Sequence, residues 1–583
     1  MSGYRADAAY WGPEKIVVAM DIGTTQSGVS FLHLSNGARP VVTMVTQWPG
    51  QVAAAGIGKI PTLVAYRHGE VQACGEEAIE SFEDDKSTVA HYFKLHLHPD
   101  HMMRSLSRPI PPLPPNVTLE QAYYDIMSYM FWHTREFFES RPGYINTNTW
   151  NRLRSSMEVI LATPNGWDIR EQDFLRQVAI RAGLVRSSSA ETQLNFITEA
   201  EASIHFALHH GSIKNWLRRG AMFAVIDAGG STVDSTLYVC KFAQYPIRLE
   251  EVTSSKCVQA GGIFVDEQAE IMLKRKFRNS RFSTSDYISA MTKRLFTVGK
   301  SSNIIDFGGP GDTDNTAGVR RGKVSLTAEE VASCFAVPIR DILDSVKSLT
   351  NWTNVQYLVL VGGFGESSYL KQVLESVFGN SGISVIVAEE PSRKAAAEGA
   401  SIWHITHNVK ARAARYTYGM EIRDDYSDKY RERSDMKYTA ADGRVVVPGI
   451  FSTWVPKDVV LADDFDYEKH YCWSWSSDDS DIPSYLTDMS INVYIWDSTT
   501  PPTWAMDRQG DPMPGIRHLC TVTADLSGLY SGLTLRNGPS GQYYQVDYSV
   551  LISLGGTQLS ARVQWKDDEA SRIEAVKSEM SDD

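Results

Sequence analysis

Two stretches of this chain end an apolar run in an aspartate and follow it at once with small and hydroxylated residues. In the first, KIVVAMDIGTTQSGVSFLHL from Lys15 to Leu34, Asp21 precedes Gly23, Thr24, Thr25 and Gln26 before the apolar run resumes at Val29. In the second, AMFAVIDAGGSTVDSTLYVC from Ala221 to Cys240, Asp227, Gly229, Gly230, Ser231 and Thr232 fall on the same positions. Backbone N–H groups and hydroxyls in such a turn form a concavity suited to phosphate oxygens, and a carboxylate at the strand end faces a hydrated divalent cation in the same space. One copy is also ordinary turn chemistry. Two copies about two hundred residues apart can clamp the phosphates of one nucleotide from both sides. A third stretch, VQYLVLVGGFGESSYLKQVLESV from Val355 to Val377, carries Gly362, Gly363 and Phe364 between an apolar run and a helical pattern. Backbone approaches a flat ligand closely only where there is no Cβ, so Gly362 and Gly363 suit the floor of a nucleoside site, although a tight strand-to-helix turn would use the same residues.

The elements that must position these residues follow from the same stretches. Each Asp-containing stretch predicts a β-hairpin with a polar tip, one supersecondary unit used twice. Thr118-Leu119-Glu120-Gln121 opens an amphipathic helix through AYYDIMSYMFWHTREFFESR, with Met127, Met130, Phe131, Phe137 and Phe138 as core. Pro109 to Pro115, PIPPLPP, must be extended. It reads as a connector or as a ligand for a proline-recognising module. MEVILATP at Met157 to Pro164 predicts a strand, and Asp168 to Leu184 a helix. Gly308 to Gly322 is a loop by composition.

The 583 residues are too many for one core and predict three to four compact units. A hydrophobic share of 43% is that of a globular chain, and a net charge of −13 without any basic block argues against general nucleic-acid binding. No apolar run reaches the ~18 residues of a membrane span, and the N-terminal residues lack the apolar core of a secretory signal. Six scattered cysteines include no C-x-x-C pair, which predicts reduced thiols rather than a zinc site or disulfide framework. The expectation is a cytoplasmic, or nuclear, soluble protein with no membrane span and no nucleic-acid partner.

The order of these motifs over about Ile16 to His404 resembles the actin, hexokinase and seventy-kilodalton heat-shock protein superfamily, most closely its heat-shock branch. The resemblance implies an α/β fold of duplicated actin-like (ribonuclease H-like) ATPase lobes at about 15–205 and 220–385 within residues 1–405. It implies ATP or ADP with Mg²⁺ as the bound group. Lys94, in Tyr92 to Leu97, takes the place of the family's phosphate-reaching lysine. Glu199, in the stretch Asn195 to Leu208 that resembles the first connecting helix, takes that of the glutamate facing the metal-bound water. Asp21 and Asp227 would hold metal-bound waters, and Asp234 and Thr232 match positions near the phosphates. Gly261 and Gly262 match the glycines that begin a long helix. The adenine-facing pair is either Lys293 with Arg294 or Lys300. Ser231 replaces a family glycine and adds a Cβ near the γ-phosphate. Ala395 to Ala400 resembles the second connecting helix, whose small residues allow close crossing at a hinge.

Beyond His407 the family's acidic, leucine-rich linker is replaced by HNVKARAARYTYGMEI, whose Arg412 and Arg415 should resist desolvation. Residues 406–565 predict a divergent β-rich domain, with strands at Val445 to Val447, Ile491 to Ile495, Cys520 to Val522, Tyr543 to Ile552 and Ser560 to Val563. Residues 566–583 predict a solvated acidic helix fraying at its end. The whole is similar to the atypical member-12-like branch of the heat-shock family and its fungal relatives. The resemblance implies an ATP-hydrolysing chaperone or nucleotide-driven switch, with a protein client or co-chaperone engaged through the C-terminal domain. A sugar or metabolite kinase of the same superfamily, and a nucleotide-binding scaffold with little turnover, remain as alternatives.

Overall fold

The computed structural model describes residues 8–51, 56–103, 109–210, 213–244, 246–284, 288, 304–349, 354–388, 394–462, 466–555, 558–567, 570–575 and 577–579. It is a mixed α/β chain in two compact units, Met1–Pro246 with Lys256–Asn408, and Ile247–Ser255 with Val409–Asp583.

The first unit is built on two sheets that share one motif. Lys15–Ile22 and Gln26–Leu34 form an antiparallel hairpin, and Lys15–Ile22 also pairs in parallel with Glu158–Thr163, Met20 opposite Leu161. Met222–Ala228 and Val233–Phe242 form the second hairpin, and Met222–Ala228 pairs in parallel with Val355–Val361, Asp227 opposite Val361. A strand covered on both faces needs a continuous apolar run, and IVVAM and FAVI supply it: Ile16 to Met20 and Phe223 to Ile226 are all buried. Leu119–Glu139 packs its Tyr123, Met127, Met130 and Phe138 into the core around the first hairpin, and the Thr118 hydroxyl caps its start by accepting from Gln121 N.

Two sequence expectations change in this unit. Asn195 to Leu208 is not helical throughout: Leu194–Thr198 is a strand parallel to Glu158–Thr163, and the helix is Glu199–His210. Phe196 and Ile197 gain burial and ladder bonds by extending the sheet, and Thr198 Oγ1 accepts from Glu201 N as the helix begins. The Pro109 to Pro115 stretch is a packed connector: Leu113 lies against the main core and Ile110 against Leu95, Ile263 and Phe264, while His96 Nε2 lies 2.8 Å from Pro111 O. The small-residue helix Ala395–Thr406 crosses Glu199–His210 so closely that a Cβ on Gly399 would strike Ala202 O.

The second unit is largely β. Val445–Val455, Thr417–Asp425, Met489–Trp496 and Ile516–Ala524 are consecutive neighbours in one sheet, and Tyr467–Ser476, Gly541–Gly555, Gln558–Asp567 and Ala570–Ala575 form another. The acidic tail read as a helix is a strand over Ala570–Ala575, paired antiparallel with Gln558–Asp567. Its polar and apolar residues alternate, Arg572 and Glu574 with Ile573 and Ala575, and a neighbouring strand edge supplies ladder partners that an isolated helix lacks. The linker-like stretch also changes character. Val409–Ala413 is a strand, parallel to Arg248–Glu251 and antiparallel to Val460–Ala462, and Arg412 is buried with the strand that carries it. The expectation that this arginine resists burial therefore fails. Trp473 and Trp475 lie on one face of Tyr467–Ser476, and Tyr485 stacks against both.

Candidate functional site

The hairpin tips of the first unit meet. Thr24 Oγ1 and Ser231 Oγ are 2.5 Å apart, and both residues are buried. A Cβ on Gly230 would come 2.7 Å from Thr25 Oγ1, so the tips approach this closely only with glycine there. The second tip is tied to the start of the Gly262–Lys276 helix, where Gly262 N donates to Gly229 O at 3.1 Å and Ile263 N to Gly230 O at 2.9 Å.

Four carboxylates and three lysines surround the tips. Lys94 Nζ lies 2.6 Å from Glu199 Oε1, with the lysine side chain only 3% exposed. Lys394 Nζ lies 2.9 Å from Asp21 Oδ2, and Lys59 Nζ 3.4 Å from Glu366 Oε1. Burial pulls the Lys59 ammonium below the ordinary lysine range. Asp227 accepts a hydrogen bond from Ser203 Oγ on the Glu199–His210 helix. Burial, reinforced by the Glu199 charge, pushes the Asp227 carboxyl up to about 7 despite that bond. Gly362, at φ +82°, passes beside Asp227 so closely that any Cβ would overlap its Oδ1.

These groups open on one cavity of about 570 Å³. Asp21, Gly23, Thr24, Thr25 and Gln26 line it from the first hairpin, and Asp227, Gly229, Gly230, Ser231 and Thr232 from the second. Lys94 and Glu199 reach it from a 3-10 turn and a helix start, and Gly262, Gly362, Gly363 and Phe364 line it as well. Phe335 stacks on Phe364 at a centroid separation of 6.3 Å and meets Tyr369 at 4.7 Å, so aromatic rings line the cavity along with the charged groups.

Two further expected residues are not among those lining the cavity. Asp234 is buried and its Oδ1 accepts from Asn165 N at 3.0 Å, with burial pushing its carboxyl up to about 8. Gly261 is the N-cap of the Gly262–Lys276 helix. Lys293, Arg294 and Lys300, the candidates for facing adenine, lie outside the described residues. Sequence reasoning did not find Lys394, Lys59, Glu366, Ser203 or Phe335. None stands in a spaced motif, and the one available signal was a lysine directly before the small-residue run AAAEGAS.

The residues present fit a hydrated divalent cation with phosphates. Asp21 is buried, yet its Oδ1 has no hydrogen-bond partner among the described residues. Asp227 lines the same cavity. Among the described residues no group of three or more His, Cys, Asp or Glu could hold a metal ion directly. The six cysteines are free, and no described helix is long and apolar enough to cross a membrane.

No family model matches the chain. Among curated proteins it is similar to heat shock 70 kDa protein 12B of Homo sapiens, 22% identical over an alignment of 552 positions that covers 78% of each chain. The similarity is distant and spreads over most of both sequences.

Proposed function

We propose that this chain is a heat-shock-70-like protein that binds Mg²⁺-ATP in the cavity of its first unit and hydrolyses it to ADP, driving a conformational switch. The observation that carries the reading is the meeting of two Asp-Gly hairpin tips over a cavity lined by lysine–carboxylate pairs and aromatic rings. The base lies against Phe335 and Phe364. The β- and γ-phosphates take the N–H groups around Gly23 to Thr25 and Gly229 to Thr232, fixed dipoles that meet the charge developing in transfer. Asp21 and Asp227 hold the water shell of the cation, which neutralises phosphate charge when bound. Glu199 orients the attacking water and Lys94 turns from Glu199 toward the γ-phosphate. Water oxygen forms the new bond to the γ-phosphorus, the bond to the β–γ bridging oxygen breaks, and ADP leaves with that electron pair. Asp227 accepts the water proton. The Thr24–Ser231 contact must part to admit the γ-phosphate, which favours slow turnover. The second unit, β-rich and separately cored, would engage a protein client or co-chaperone.

The test is release of ADP and phosphate by the purified chain, with and without candidate sugars. Sugar-independent release supports the reading, transfer to a sugar would replace it with a kinase, and binding without release would leave a scaffold.

A further inference from the structure

Lys394 stands at the N-cap of the Ala395–Thr406 helix and lines the cavity beside the first hairpin. Its stem runs over Gly28, where an added Cβ would come 2.9 Å from Lys394 Cβ and 3.0 Å from Cγ. Its ammonium passes Gly23, where an added Cβ would lie 3.1 Å from Nζ, and ends 2.9 Å from Asp21 Oδ2. The missing Cβ at Gly28 therefore leaves room for the lysine stem on its way to the buried carboxylate at the end of the strand, whereas at Gly23 a Cβ would first meet the hairpin's own Gln26 O. Asp21 is only 2% exposed, and its second oxygen, Oδ1, has no hydrogen-bond partner among the described residues.

A carboxylate so placed repels incoming phosphates unless a positive charge stands between them, and the repulsion is strong where water is excluded. Mobile divalent ions supply that charge at the cost of being bound from solution. A tethered ammonium supplies part of it permanently. Lys94 does not serve Asp21, being paired with Glu199 at 2.6 Å.

Building on the nucleotide reading of the cavity, we propose that Lys394 is a built-in counter-ion of the phosphate site. It shares with the divalent cation the neutralisation of Asp21 and the phosphates, so nucleoside di- and triphosphates bind with weak dependence on Mg²⁺.

The experiment is calorimetric titration of the full chain with ADP, once in Mg²⁺ and once with the divalent ions chelated, for wild type, Lys394→Met, Lys394→Arg and Gly28→Ala. Chelation should weaken ADP binding to Lys394→Met at least about tenfold more than it weakens binding to wild type. Lys394→Arg should behave as wild type. Gly28→Ala, which keeps the charge and obstructs the lysine stem, should move toward Lys394→Met and serves as the reading if that variant does not fold. Equal sensitivity to chelation in wild type and in the variant that reports overturns the role of Lys394. Wild type that binds no ADP in either condition overturns the nucleotide reading itself, a separate result from binding that is merely Mg²⁺-dependent.

Discussion

Ser231 Oγ and Thr24 Oγ1 satisfy each other across the cavity at 2.5 Å, so opening the tips breaks a buried hydrogen bond. Such a bond is worth about 1 kcal/mol net, and Ser231→Ala should therefore speed nucleotide association by about fivefold. Stopped-flow mixing with a fluorescent nucleotide reads this, and an unchanged rate would show that the contact does not gate access. Lys94 and Glu199 respond differently because each is the other's partner at 2.6 Å in a nearly closed site. Lys94→Ala leaves the half-buried Glu199 carboxylate without its cation and should lower stability by about 1 kcal/mol, and Glu199→Gln, which keeps a hydrogen-bonding oxygen beside Lys94, should cost a similar amount. Both should depress hydrolysis by about 100-fold, because they act on water and charge that matter chiefly in the transition state. Urea titration separates the stability effects from turnover, and wild-type hydrolysis in both variants would remove these residues from the mechanism.

At the scale of elements, the start of the Ile169–Arg181 helix carries a pH response away from the cavity. Asp168 N donates to Glu171 Oε2 at 2.7 Å, but burial outweighs that bond and pushes the Glu171 carboxyl up to about 7. The folded state then keeps a proton that the unfolded chain releases near the ordinary value of 4.5. Stability from this group is complete below that value and is lost as pH rises through about 7. Glu171→Gln keeps the acceptor without the charge, so thermal scans at pH about 5 and about 8 should show a smaller loss in the variant than in wild type. Equal losses would mean that the buried carboxyl does not set this slope. The neighbouring strand and helix show how local patterns were read and misread. Residues 195–208 carry a helical pattern that begins too early, because Phe196 and Ile197 find a parallel strand to join, and no periodicity announces a partner distant in sequence.

For the whole molecule, nucleotide binding should appear as stability. At millimolar ATP and micromolar affinity the ratio of ligand to Kd is about a thousand, and binding should stabilise the fold by roughly 4 kcal/mol. A calorimetric scan of the full chain with Mg²⁺-ATP should show a clear rise in Tm, and folded protein with no shift would refute the nucleotide site. The division into units carries its own expectation. Ile247–Ser255 belongs with the second unit although the chain runs through it before returning to the first. A fragment ending at Asn408 loses Val409–Ala413, the parallel partner of Arg248–Glu251. Limited proteolysis should cut that fragment within Ile247–Ser255 while the full chain resists there, and equal resistance would show that this strand does not need its partner.

What the sequence by itself determined are the features whose information is local. The two hairpins, the strand-to-helix turn at Gly362, and the capped helix at Thr118 each lie within about twenty residues: apolar runs ending in Asp-x-Gly encode the hairpins, a Gly-Gly pair the turn, and a Thr cap before an apolar periodicity the helix. The dispersed phosphate-site candidates were legible as types at strand ends and turns, and most of them line one cavity. Tertiary structure alone decided how charges are paired in that cavity, since Lys394 reaches Asp21 and Lys59 reaches Glu366 across hundreds of intervening residues. It also decided that Asp234 is buried against Asn165, that Arg412 is buried, and that the acidic tail extends a sheet. Each outcome depends on which surfaces meet. A charge, a strand edge or a buried carboxylate is settled by the partner that folding brings to it, and such partners lie far away along the chain.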